Sequence, residues 1–215
     1  MKKALLLIGL ATMVAVSTQA VWVMDDMDTP AAGQYTAYSP GGSSSVNVGG
    51  DVFGGWRTIK WGTQTGTGLA EVSINEANSQ FILDYRQAAS VNTVMSLVYD
   101  ANGAGLNMNL SNMGDFGLTG VLVDQGAFTI NYSIMDGVNT LANGSWNAAP
   151  GGPYDLLVNF GFQPTWTSAD ALIFEFVPQN AGADIQIDGV VPEPSSALVI
   201  AGLLGLGAVV RRFTK

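Results

Sequence analysis

The chain contains no cysteine and no histidine. Without cysteine there can be no disulfide staple and no thiolate nucleophile, so the fold must stand on its core alone. Without histidine there is no Ser-His-Asp triad, and the ordinary zinc and copper sites lose their commonest ligands. Positive charge is also scarce, with 8 basic against 17 acidic residues in 215. Five of the basic residues (Lys2, Lys3, Arg211, Arg212, Lys215) sit at the chain ends. Between residues 21 and 190 only Arg57, Lys60 and Arg86 face sixteen acidic residues, a net of −13. Such a surface repels polyphosphates, so nucleic acid is not an expected partner. Neutral glycans and calcium remain compatible with it.

Long apolar runs occur only at the two ends. Met1-Lys2-Lys3 is a basic start, Ala4–Val16 is mostly apolar, and small residues Thr18 and Ala20 follow. This pattern predicts a signal helix over 1–20, with cleavage after Ala20. At the other end Pro192-Glu193-Pro194 precedes Ala197–Val210, 14 residues without a charge, and then Arg211-Arg212-Phe213-Thr214-Lys215. The prolines hold the motif extended and keep helix from spreading back into it. A helix over the apolar run would cover about 21 Å, against roughly 30 Å of bilayer hydrocarbon. That is short for a permanent span and suits a transient anchor with its basic end in the cytoplasm. Residues 191–215 are therefore expected to form a sorting and anchor segment.

The middle, 21–190, is long enough for one domain with a real core. After a Gly/Ser/Pro-rich stretch from Thr29 to Gly50, expected as loop, it proceeds as short runs of period-two alternation. Trp56, Thr58 and Lys60 alternate with Arg57, Ile59 and Trp61. Similar runs occur at Gly68–Asn75, Phe81–Arg86, Val91–Asp100, Phe116–Asp124, Val138–Trp146, Tyr154–Phe160, Ala171–Val177 and Asp184–Asp188. The clearest is Ala127–Met135, with Phe128, Ile130, Tyr132 and Ile134 on one face and Thr129, Asn131 and Ser133 on the other. Asp136-Gly137 marks a tight turn after it. No amphipathic helix pattern intervenes. The expected fold is all-β, a single sandwich or barrel, flanked by the signal helix and a C-terminal hydrophobic helix.

The order of Pro-Glu-Pro motif, apolar run and basic stop resembles the PEP-CTERM tail of exported bacterial proteins. Val52-Phe53-Gly54-Gly55-Trp56-Arg57, Leu97-Val98-Tyr99-Asp100 and Ala183-Asp184-Ile185-Gln186-Ile187-Asp188 occur in an order similar to that of secreted PEP-CTERM proteins with one jelly-roll-like β-sandwich, related in shape to carbohydrate-binding modules. The resemblance implies export through the inner membrane to the cell envelope, outer surface or extracellular matrix. It implies an exosortase as processing partner, recognising Pro192, Glu193 and Pro194, and a membrane contact through the C-terminal helix. It also implies a structural role in an exopolysaccharide matrix; a carbohydrate-binding module with a specific glycan ligand is the alternative.

Three groups of side chains could carry chemistry. Asp25, Asp26 and Asp28 lie near the first strand and Asp184 and Asp188 on the last, and neighbouring first and last strands could gather Asp25, Asp26 and Asp188 around a structural calcium. The competing reading is a solvated acidic edge that deters strand pairing. Trp56, Trp61, Trp146, Trp166, Tyr35, Tyr38 and Tyr154 could stack on sugar rings, with Trp146 beside Asn143 and Asn147, and Trp166 in the Gln163–Thr167 loop, fitting best. The competing reading is core packing. A glycosidase needs two opposed carboxylates, and Glu71, Glu76 and Glu175 offer no such pair, so no enzyme is expected. Arg57 and Lys60 are expected in exposed ion pairs worth about 0–1 kcal/mol.

Overall fold

The computed structural model describes residues 24–28, 33, 35–40, 43–47, 52–77, 80–111 and 113–194. The signal segment with Ala20 and the apolar run Ala197–Val210 lie outside these residues. Thirteen strands follow in order: β1 Thr36–Tyr38, β2 Ser43–Asn47, β3 Trp56–Thr65, β4 Ala70–Ala77, β5 Gln80–Gln87, β6 Asn92–Tyr99, β7 Met113–Gln125, β8 Phe128–Asp136, β9 Asn139–Ala148, β10 Gly151–Asn159, β11 Ala171–Pro178, β12 Asp184–Ile187 and β13 Gly189–Pro194. One 3-10 turn, Phe53–Gly55, precedes β3. No α-helix occurs among the described residues, and no described helix is long and apolar enough to cross a membrane.

Two antiparallel sheets pack face to face. One has the order β1-β4-β5-β12-β7-β10, with β13 also on β7; the other has the order β2-β3-β6-β11-β8-β9. The chain is thus the all-β sandwich its alternation predicts. From β5 to β12 the path alternates between sheets at each step except the β8–β9 hairpin, which turns at Gly137 with φ 56°. Each strand contributes one apolar face to the core: Val72 and Ile74, Leu83 and Tyr85, Ile185 and Ile187 from the first sheet, and Leu97 and Tyr99, Ile130 and Ile134, Phe174 and Phe176 from the second, all buried. β1 and β2 form inside the stretch expected as loop. Both are short and lie at sheet edges, where they pair with β4 and β3.

β7 departs from simple alternation. Phe116, Leu118, Val121 and Val123 are all buried, although the first two and the last two differ in parity. Gly120, with φ +60°, absorbs the extra residue as a bulge, and a Cβ there would collide with Asp188. Asp188 stands where β12 ends and β13 begins. Burial, and then the neighbouring Asp155 charge, hold its carboxyl above the usual aspartate range.

The chain's two described ends meet. Val190 donates its N–H to the Asp25 carbonyl at 2.8 Å, and Met24 donates to Val190 O at 3.0 Å. β13 continues past the expected boundary at Val190, with Val191 opposite Gly117, Pro192 opposite Phe116 and Pro194 opposite Met113 on β7. The Pro-Glu-Pro motif is therefore extended, as its prolines dictate, and it is also the last strand of a sheet. Proline suits such a position only where its missing N–H is not needed by a neighbour.

Asp25 is fully buried, as is Arg57, which projects into the core from the same face of β3 as Ile59. This corrects the expectation of an exposed pair. Arg57 Nε donates to Asp25 Oδ2 at 2.7 Å and Nη2 donates to Oδ1. Tyr99 Oη donates to Oδ2 at 2.6 Å and the Met27 N–H to Oδ1 at 2.9 Å. Burial alone would lower the arginine's pKa, but the adjoining Asp25 charge outweighs it and the value rises. Burial, and then Asp25, push the Tyr99 phenol well up, so it stays a donor.

Two outcomes follow. Asp25→Ala strands a buried guanidinium and should cost about 3–5 kcal/mol, read as a lower urea midpoint with an unchanged slope. The Asp188 pKa is raised on folding, so the native state holds its proton to higher pH than the unfolded chain. The resulting penalty grows as pH rises from the ordinary aspartate range through the raised value. Asp188→Asn should therefore raise the melting temperature at pH 7, and the gain should vanish on acidification; an equal gain at both pH values would contradict this origin.

Candidate functional site

The outer face of the six-stranded sheet carries an aligned array of polar side chains. The strand registers align them. Lys60 lies opposite Ser43 and Ser96, Ser96 opposite Glu175, Glu175 opposite Asn131, and Asn131 opposite Ser145. The result is one row of hydroxyl, amine, amide and carboxylate positions across all six strands. At about 4.8 Å per strand it extends roughly 24 Å. A second row runs beside it through Ser45, Thr58, Val98, Ile173, Ser133 and Asn143. These residues face outward because their sequence neighbours, Ile59, Leu97, Phe174 and Ile134 among them, take the inward positions.

At the β11-β8-β9 end the two rows border a shallow depression of about 420 Å3, lined by Asn131, Ser133, Asn143, Ser145, Ile173 and Glu175. Asn131 Nδ2 donates to Glu175 Oε2 at 2.8 Å, which fixes the amide's orientation and leaves carboxylate oxygen capacity for a ligand. Ser45 Oγ and Thr58 Oγ1 lie 2.9 Å apart, tying the far end of the second row. Gly144 is needed at the depression because a Cβ there would overlap the Tyr132 ring. Ile173 supplies a small apolar floor. The set can donate to and accept from several hydroxyl groups at once. Glu175 is the one carboxylate in the lining, so the two-carboxylate arrangement of glycoside hydrolysis is not assembled there.

The structure redistributes the residues singled out from sequence. Trp146 faces inward, its ring 4.6 Å from Tyr132 and packed against the core. Trp166 is 7% exposed, edge-on to Phe160 at 5.0 Å. Trp166 therefore serves packing, and Trp146, half-buried, turns its ring towards Tyr132. Tyr35 is buried and Trp61 packs towards Tyr85, while Tyr38 and Tyr154 are exposed on the other sheet. Trp56 has the parity of Thr58 and Lys60 and is half-buried, which places it on the outer face of β3, two residues from Thr58.

The acidic residues divide in the same way. The chain ends do bring the Asp25 and Asp188 segments together, but Asp25 commits both oxygens to Arg57, Tyr99 and Met27. A calcium ion at this end would have to do without it. Asp26 is exposed, and burial followed by its bond to Asp28 raises its pKa. Among the described residues no three carboxylates group closely enough to hold a metal. Glu71 and Glu76 fall on opposite faces of β4, as their odd spacing requires. The polar rows were legible in part: Asn131, Ser133 and Glu175 alternate with core residues. Their alignment with Lys60, Ser96 and Ser145 depends on register between strands far apart in sequence.

No known protein family matches the sequence, and no curated protein matches it. Several solved structures align with part of the chain. The family 11 carbohydrate-binding module of a cellulosomal cellulase from Clostridium thermocellum is 12% identical with a TM-score of 0.40, covering 82% of this chain and 96% of that one. A family 28 carbohydrate-binding module specific for non-crystalline cellulose is 15% identical with a TM-score of 0.39, covering 58% and 82%. The enzymatically active domain of tailspike protein 4 from bacteriophage CBA120 is 14% identical with a TM-score of 0.43, covering 63% of this chain and 19% of its own. None of the site's residues is assigned from these likenesses.

Proposed function

We propose that this domain is a non-catalytic module that holds a neutral polysaccharide against the outer face of the six-stranded sheet. The observation that carries the reading is the row from Lys60 through Ser96, Glu175 and Asn131 to Ser145. It offers alternating donors and acceptors at a spacing close to the width of one sugar ring. A net of −13 between residues 21 and 190 disfavours polyanions and leaves neutral glycans as the matching class. The alternation of β5 to β12 between sheets supports the finer fold assignment of a jelly roll. The basic-apolar start and the Pro192-Glu193-Pro194 tail support export and delivery to the cell envelope, with an exosortase acting on the tail and the glycan belonging to the surrounding matrix.

Affinity electrophoresis and calorimetry against soluble glucans, mannans and galactans test the binding. Glu175→Ala and Asn131→Ala should each weaken it roughly tenfold, as expected for losing a hydrogen bond to or through a charged group. Glu71→Ala, on the opposite sheet, should leave it unchanged. Failure to bind any neutral polysaccharide, or equal loss in the Glu71 variant, overturns the reading. Export is tested separately by mass spectrometry of protein from its native envelope, where the mature chain should begin at Val21. That cut leaves Asp25 in place, whereas one six residues later would remove the partner of Arg57.

A further inference from the structure

We propose that one end of the sandwich rests on a lipid bilayer, with Phe162 and Val138 entering the headgroup layer beside the point where the tail leaves the domain. The inference rests on the reading of Ala197–Val210 as a membrane anchor and adds to it a footprint on the domain itself. β13 ends at Pro194, opposite Met113 at the start of β7. Hydrogen bonds tie the neighbouring loops to this point. Phe160 donates its N–H to Gly114 O at 3.1 Å and Gln163 donates to Ser111 O at 2.9 Å, which holds the β10–β11 loop there. Asp170, at the close of the same loop, accepts the Gly137 N–H through Oδ2 at 2.8 Å, which holds the β8–β9 turn.

These two loops carry the two most exposed large apolar side chains among the described residues, Val138 at 93% and Phe162 at 69%. Phe162 is held outward. Gly161 before it takes φ +61°, Gln163 Nε2 donates back to Phe160 O at 2.7 Å, and Phe160 and Trp166 on either side pack edge-on at 5.0 Å against the core. Residues 100–111, 137–138 and 160–170 include no lysine or arginine, and Asp100 and Asp170 are among them. The contact therefore draws on apolar insertion into uncharged lipid and not on attraction to anionic headgroups.

The length of the connection selects a bilayer as the occupant. Only Ser195 and Ser196 separate Pro194 from Ala197, where the uncharged apolar run begins. Fully extended, that connection reaches about 10 Å. The headgroup layer of one leaflet is roughly 5–8 Å deep. An apolar run seated in hydrocarbon therefore leaves almost no slack, and the end of the domain that carries Pro194 has to lie at the membrane surface. Leu69, 53% exposed, lies in the β3–β4 turn at the opposite end, where Thr65 pairs with Asn92 at the start of β6, and it stays in water.

The chain has no cysteine, so single probes can be placed on the full chain. Phe162→Cys, Val138→Cys and Leu69→Cys, each carrying an environment-sensitive fluorophore, are reconstituted into phosphatidylcholine vesicles that contain a lipid with a nitroxide at the top of its acyl chain. The probes at 162 and 138 should be quenched, and the probe at 69 should not. Thr165→Cys, at an exposed position of the same loop, reports the contact without replacing either apolar residue. Its quenching should be lost in Phe162→Asp/Val138→Asp, with an unchanged circular dichroism spectrum. Quenching at all three sites, quenching at none, or a Thr165 probe indifferent to the two aspartates overturns the contact. Flotation distinguishes this failure from failure of the anchor. A full chain that floats with the vesicles while the probes at 162 and 138 stay unquenched has an anchor without the footprint, and one that does not float has neither.

Discussion

The fold depends on one buried carboxylate. Asp25 sits in the N-terminal segment, far in sequence from the Arg57 and Tyr99 it binds, and it takes four hydrogen bonds while fully buried. A buried ion pair is weak evidence for net stability, because desolvating both charges offsets much of their attraction. Its effect is specificity. Arg57 can occupy the inward face of β3 only if Asp25 arrives, so the N-terminal segment must dock in one place. That docking brings Asp25 beside Val190 and closes the chain's two described ends against each other.

From that closure the two sheets take different roles. The seven-stranded sheet holds the termini, through β13 on β7 and the Asp25 bridge to Val190. Its outer face carries charged contacts such as Arg86 with Asp84. Among the described residues neither end segment pairs with β6, β11, β8 or β9, and the outer face of these strands carries mostly uncharged side chains beside Glu175. Glycan retention, as proposed, uses the outer face of this second sheet. Anchoring by the tail would act from the first. A ligand could thus be held without disturbing the segment that attaches the domain.

Legibility in the sequence varied with the range of the interaction concerned. The alternation of Phe128, Ile130, Tyr132 and Ile134 with Thr129, Asn131 and Ser133 marked β8 and its buried face, because strand parity is local. Asp136-Gly137 marked the hairpin for the same reason. Parity also put Arg57 on the face of Ile59 and Trp61, which was a signal of burial; an exposed ion pair was the more usual outcome for arginine, and its distant partner could not be located from spacing. Trp146 and Trp166 misled because a tryptophan beside asparagines reads the same whether its ring faces solvent or Tyr132. The bulge at Gly120 was hidden, since Val121 and Val123 continue an apolar run that looks regular.

By itself the sequence determined the class of chemistry and the class of fold. The absence of histidine and cysteine, the acidic balance and the period-two patterning follow from composition and nearest neighbours, and no arrangement in space can reverse them. It also determined the character of the two ends, a basic-apolar start and a Pro-Glu-Pro tail. Tertiary structure alone decided which strands adjoin. Register between β3, β6, β11, β8 and β9 is a relation among segments up to a hundred residues apart in order of magnitude, and it is what turns scattered Lys60, Ser96, Glu175, Asn131 and Ser145 into a row. The same long-range packing chose Asp25 as a core residue and set β9 at one edge of the described six-stranded sheet.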